Sequence, residues 1–541
     1  MSKFILYKAM SKIVAIVLLM LILFSSMLLG QPYYLSGGYG TNTQGGLNGK
    51  VIKVTCLNSD GPGSLRAACE ASGERLVVFE VGGVIDLEKS SIKIKNPYIT
   101  IAGQTAPSPG VTIIRGGLSV VTHDVVIQHL ASRPGEAGEA KGSGWEVDGM
   151  SAYGVNAYNV VFDHCSVTWS TDENLSISGP PDSAPGESSH DVTLYGCLIA
   201  ESLSHSTHSG GEHGKGTLLL EGITNVSIIG CLYAHNNRRN PFVKGNTRTV
   251  FVNNLIYNSG SQCIGMADRG KSPYVGKSHA VIMGNAWMTG PSSSRKVFVH
   301  GVEDRVCANV YFSDNFLQDR SGNHMELNLA NIHIYQLNNA PLWFEGPEAK
   351  PASESISCVL RTAGARAADR DPVDQRIVQT VIDSTGAIID SEQEVGGYPV
   401  YDVVNQPVEI PETEDLRRAW LDSLSQSIGT DTTLDLSEFE SNASGVQEQD
   451  VNRNSFDYEL SSYPNPFNPT TCIKYTLKSA EHVSVQIFNI VGRQVAMLFN
   501  GFQEAGQYQT SWYAGDNKSG LYFCRLRVGE RTKILKLLLQ H

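Results

Sequence analysis

Five residues carry most of the chemistry this chain can offer: Asp148, Asp172, Lys215, Arg239 and Lys244. Three of them stand a near-constant distance ahead of short runs of alternating apolar residues. Asp148 precedes Val160 by 12 positions, Lys215 precedes Val226 by 11 and Arg239 precedes Val250 by 11. Asp172 precedes Val192 by 20, but "GPPDSAPGESSH" between them reads as a loop insertion that accounts for the excess. If the runs stack as coils, these residues share one column and line one groove, in the order carboxylate, carboxylate, cation, cation. Lys244 extends the cationic end. Two carboxylates on adjacent coils offer hard oxygen ligands suited to Ca2+. From Ser202 to Val250 five Lys or Arg stand against two Glu, in a chain of formal net charge −12. A metal followed by a cationic track suits an acidic polymer. Ion pairs between coils are the alternative for the same residues.

The runs that must position this column recur from about Tyr98 to Leu317. They read "NVVFDHCSV" from Asn159, "DVTLYGCLI" from Asp191, "NVSIIGCLY" from Asn225, "TVFVNNLIY" from Thr249, "AVIMGNAWM" from Ala280 and "NVYFSDNFL" from Asn309. The copies start 24 to 34 residues apart and contain strands and turns but no convincing helix, which is the signature of a β-solenoid. Each coil cannot bury its apolar face alone, and stacking creates one long core. Aligning the copies puts Cys165, Cys197 and Cys231 in one column, where they are expected to stack inside as small apolar fillers. "GPGSLRAACEASG" from Gly61 reads as an amphipathic helix that covers the open end of the solenoid. Cys56 before it and Cys69 within it could pair. Asp163 and His164 are expected to be structural, as buried hydrogen-bonding groups of a strand.

The rest of the chain follows by composition. Lys3, Lys8 and Lys12 precede an apolar run from Ile13 that extends through Leu29, so residues 1–30 read as a signal peptide. Residues 31–440 form the solenoid with a polar tail, expected as short helices and extended chain on its outside. Residues 441–460 read as a linker. Residues 461–541 alternate with period two between Gly, Asn and Pro turns and are expected as a small β domain, in which Cys472 and Cys524 could pair. The expected fold class is all-β: a right-handed parallel β-helix followed by a small C-terminal β-sandwich. The acidic balance argues against a nucleic-acid partner.

Several segments together resemble the pectate lyases of polysaccharide lyase family 1: "AGQTAPSPG" from Ala102, "DGMS" from Asp148, "VVFDHCSVTWSTDENLSIS" from Val160 and "RNPFVKG" from Arg239. The resemblance spans roughly Lys50 to Tyr398. It implies calcium-assisted β-elimination of polygalacturonate (homogalacturonan, pectate). It also implies Asp148 and Asp172 as metal ligands, Arg239 as the base, and Lys215 and Lys244 as substrate-binding cations. Ser176 departs from the pattern, since the family often has another aspartate there. Glu173 is expected to face the other side of the strand and to be a poor substitute. Arg239 is expected to reach the groove and Arg238 to point away, with nearby cations lowering the Arg239 pKa. "YPNPFNPTT" from Tyr463 and the ending "KILKLLLQH" resemble type A sorting domains. That resemblance implies the type IX secretion machinery as a partner and a place outside the cell or on its outer surface. The chain is expected to act as a monomer. A β-helix hydrolase and a non-catalytic polysaccharide-binding adhesin are the alternatives.

Overall fold

The computed structural model describes residues 37–540, apart from 181–185, 268–275, 296, 302–307, 327–328, 331–333, 345–347, 438, 440–459, 478–479, 490–493, 516 and 529–530. The expected signal peptide, and all of the expected linker but its last residue, lie outside the described residues. The chain divides into two compact units, Met1–Ala443 and Ser444–His541.

The first unit is a parallel β-helix. Three strands per coil build three long sheets of 11, 9 and 10 strands among the described residues. Among the described residues pairing is parallel, except where Val404–Asn405 joins one end antiparallel and at an isolated antiparallel bridge between Gln318 and His324. The apolar runs seen in the sequence are the strands of the 11-stranded sheet. Val160 pairs with Val192 and Val192 with Val226, as their alignment requires. The next step differs, because Val226 pairs with Thr249 and not with Val250. Two adjacent β-branched residues fit the strand equally well, so the apolar pattern could not select between them. The consequence for the groove is one residue of register.

The interior is a continuous stack of Val, Ile, Leu and Phe. Cys165, Cys197 and Cys231 are fully buried in it. Each thiol donates to a carbonyl of the preceding coil: Ile127, Phe162 and Leu194 respectively. The same column continues as Asn254, Asn285 and Asn315, whose amides bond one another at 3.0 Å per step. All described cysteines are free, including Cys56, Cys69, Cys472 and Cys524, so the two disulfides considered from the sequence are absent. The coils close the core by stacking, and the structure uses no covalent staple there.

The helix Leu65–Glu70 is capped by Ser64, whose side chain accepts from Ala67 N, and it buries Leu65, Ala68 and Cys69 against the first coils. The tail forms helices Ala352–Thr362, Pro372–Ile382 and Glu414–Ile428. The first two pack their apolar faces on Leu198, Leu232, Leu255 and Ala286 of the solenoid exterior. Arg133 anchors this layer. It is fully buried and pairs with Asp371 at 2.7 Å and Asp374 at 2.9 Å. Asp371 also caps the helix, accepting from the backbone N–H groups of Val373 and Asp374.

In the second unit, a three-stranded and a four-stranded antiparallel sheet enclose a core of Ile473, Val485, Trp512, Cys524 and Leu537. Trp512 is 2% exposed, so it is a core residue and offers no surface platform.

Candidate active site

The site lies at the N-terminal ends of successive strands of the nine-stranded sheet: Met150–Tyr153, Leu175–Ser178, Leu218–Leu219 and Phe242–Val243. Met150 pairs with Leu175, so two positions earlier Asp148 lies beside Glu173. Isolated bridges continue the row from Glu173 to Lys215 and from Lys215 to Arg238. By backbone register the column is therefore Asp148, Glu173, Lys215, Arg238, not the Asp148, Asp172, Lys215, Arg239 expected from spacing. The difference is the one-residue slip at Thr249, together with a bend at Thr171–Asp172 just before Glu173.

Side-chain placement does not follow the backbone row. Arg239 has φ 63°, a left-handed conformation that breaks the alternation of an extended strand. Its guanidinium pairs with the Glu173 carboxylate and lies 5.5 Å over the Phe242 ring. Arg238 turns elsewhere, to Glu212 at 3.0 Å and to the Ser261 hydroxyl at 2.9 Å. The bend likewise lets both Asp172 and Glu173 point into the groove. The expectation that Glu173 faces away fails for that reason, since alternation holds only within an extended strand.

One carboxylate oxygen from each of Asp148, Asp172 and Glu173 lies within 4.8 Å of the other two. Asp148 is held by the Glu173 backbone N–H at 3.1 Å and by the hydroxyl of Ser176 at 2.5 Å. Ser176 thus serves the cluster as a donor to Asp148. Asp172 is bound by His213 Nε2 at 2.6 Å. Lys215 Nζ lies 2.6 Å from the other nitrogen of that ring, Nδ1. Lys244 Nζ is held by Glu221 at 2.8 Å. Asp148, Asp172, Glu173 and Arg239 therefore meet directly, Lys215 joins through His213, and Lys244 is engaged with Glu221.

Burial and crowding set the protonation of the cluster. Burial, then the like charge of Asp172, pushes the Asp148 carboxyl up to about 7. Burial also raises Asp172, but His213, His208 and Arg239 outweigh it and hold this carboxyl below its usual range. Burial lowers Arg239 to about 10, against the pull of Asp172 and Asp148. Desolvation is therefore the cause, where the sequence suggested neighbouring cations. Burial lowers Lys215 to about 8.

Sequence reasoning missed His208 and His213. Their signal was the "HSGGEHGK" run ending at Lys215, where His213 stands two positions from the lysine. Asp163 and His164 are buried, and the His164 ring stacks on His129 at 5.4 Å. Asp163 accepts from Gln128 at 2.7 Å. His129 bonds the Ala365 carbonyl and the Ser425 hydroxyl. The group is a closed polar network inside the wall.

Comparison with known proteins adds four findings. Residues 461–540 match the secretion system C-terminal sorting domain. "Probable pectate lyase C" of Emericella nidulans is 33% identical over 368 residues, 66% of this chain and 78% of that protein. "Probable pectate lyase C" of Aspergillus fumigatus is 34% identical over 371 residues, 66% of this chain and 79% of that protein. Among solved structures, jun a 1, the major allergen from cedar pollen, matches with TM-score 0.44 and 15% identity over 60% of this chain and 92% of that one.

Proposed function

This chain belongs to the pectate lyase family, and from that premise we propose that it cleaves polygalacturonate by β-elimination, with Asp148 and Asp172 holding Ca2+ and Arg239 acting as base. The observation that carries the reading is the convergence of three carboxylates, one oxygen of each within 4.8 Å of the others, beside a partly buried arginine paired with one of them. The donor set fits a calcium ion: all three groups offer hard oxygens. Burial first, and then the like charge of Asp172, raises the Asp148 carboxyl, and a bound cation would offset both. Asp148 and Asp172 would hold the ion, with Glu173 as a third oxygen. When bound, Ca2+ supplies a Lewis acid that draws charge from the substrate carboxylate next to the reacting carbon.

The chain's own residues do the rest. Lys215 and Lys244 grip substrate carboxylates. Arg239 takes the proton from carbon five of a galacturonate. The electron pair left behind forms the double bond between carbons four and five, and the bond from carbon four to the glycosidic oxygen breaks. That oxygen leaves with a proton from solvent. An arginine is an unusual base because its ordinary pKa lies above about 12. Burial lowers that of Arg239 to about 10, which leaves a usable neutral fraction at alkaline pH. The chain acts as a monomer in this reading, and its sorting tail makes it a secreted or cell-surface protein, cargo of the type IX machinery.

The test is the ultraviolet absorbance of the unsaturated uronate product, followed with polygalacturonate, with and without Ca2+. A rise only with Ca2+ is expected. New reducing ends without that absorbance would mean a hydrolase, and no cleavage at all an adhesin.

A further inference from the structure

A loop from Thr207 to Gly214 lies over the groove and carries two histidines that the proposed chemistry does not use. His213 Nε2 is 2.6 Å from Asp172 Oδ1, and Lys215 Nζ lies against the same ring, 2.6 Å from Nδ1 and 3.1 Å from Nε2. His208 stacks on the His213 ring at 3.7 Å between centroids and 15° between planes. The Gly210 backbone N–H donates to His208 Nδ1 at 2.9 Å, and His208 Nε2 stands 3.9 Å from the same Asp172 oxygen. An ionised Asp172 carboxylate can only accept, so it takes an Nε2–H and leaves Nδ1, the ring nitrogen nearer Lys215, as the acceptor for the ammonium. The ring proton then sits on Nε2 and faces Asp172. The stacking and the Gly210 bond keep the ring pair from rotating.

We propose that His213, braced by His208, is a positioning residue that fixes two functional groups at once: it orients the Asp172 carboxylate for cation binding and aims the Lys215 ammonium along the groove. Among the described residues no other side chain comes as close to the Asp172 carboxylate, whose side chain is 33% exposed while that of His213 is 9% exposed. Without the ring, Asp172 can rotate towards solvent and Lys215 loses its acceptor. The inference rests on the calcium reading above.

The experiment compares His213→Leu, His213→Gln and His208→Ala with the wild-type full chain. Direct calcorimetric titration with Ca2+ alone gives the affinity, and kinetics on polygalacturonate give KM and kcat separately. Glutamine carries one acceptor and one donor and can serve both partners, whereas leucine serves neither. Removing such an outer partner ordinarily weakens metal binding about 10- to 100-fold. His213→Leu is therefore expected to weaken Ca2+ binding by that factor and to raise KM. His213→Gln should restore most of both, and His208→Ala should give a smaller loss in the same direction. Thermal melting separates these effects from unfolding, since a merely structural residue would not give recovery by glutamine in affinity and KM at unchanged melting temperature. Wild-type Ca2+ affinity and KM in His213→Leu would overturn the inference. So would losses in His213→Gln equal to those in His213→Leu. A wild-type chain that neither binds nor needs Ca2+ would overturn the calcium reading itself, a distinguishable outcome.

Discussion

Replacing Arg239 with alanine is expected to cut turnover on polygalacturonate about 100- to 10,000-fold, the range for a lost general base. Arg238→Ala should cost far less, because that side chain is tied to Glu212 and Ser261 at the edge of the site. Steady-state turnover of both variants decides the point, and the reverse ranking would put the base on the wrong residue. The protonation of the cluster gives two pH effects of known sign. Asp148 holds a proton up to about pH 7, and a proton competes with a metal for the same oxygens. Calcium affinity measured by titration should therefore rise with pH and level off above about 7. In the proposed reaction Arg239 must be neutral to take the proton, so kcat should keep climbing towards pH 10. Asp172→Asn should raise the Ca2+ concentration needed for half-maximal activity; a calcium demand unchanged from wild type in both Asp172→Asn and Asp148→Asn would remove the site. The recurring offsets of Asp148 and Lys215 made their two places in the column legible, and the structure keeps both in the row. Glu173 and His213 were not legible, because their roles depend on a bend at Thr171–Asp172 and on a loop, where strand alternation carries no information.

The strands themselves were readable from the sequence because each coil repeats the same alternation against the same core. Val160, Val192 and Val226 pair as their alignment requires. The step from Val226 to Thr249 was not readable, and it moved Arg238 into the backbone row in place of Arg239. The left-handed turn at Arg239 restores the side chain that the slip would have displaced. The tail helices depend on a different kind of contact. Arg133 has no water to fall back on, and its loss leaves Asp371 and Asp374 buried and crowded. Breaking such a pair from one side ordinarily costs about 3–5 kcal/mol. Arg133→Ala is expected to lower the melting temperature and to free the helix Pro372–Ile382, read as faster hydrogen exchange there. An unchanged melting temperature would mean that the apolar face alone holds the helix.

At the scale of the molecule, the sorting domain is an address and the solenoid is the worker. A chain ending at Asn442 should keep full lyase activity in the test tube and fail to reach the surface of its host. Activity assays and cell fractionation read the two outcomes separately, and normal export of the shortened chain would refute the division. The unit boundary near Ala443 and the independent core of the second unit support it. The sulfur column has a consequence of its own. Cys165, Cys197 and Cys231 lie sealed in the core with their thiols spent on carbonyls of neighbouring coils. Among the described residues no disulfide holds the stack, so reductants are not expected to loosen it. The same sulfurs become alkylatable only when the stack opens, which makes them built-in clocks for its unwinding.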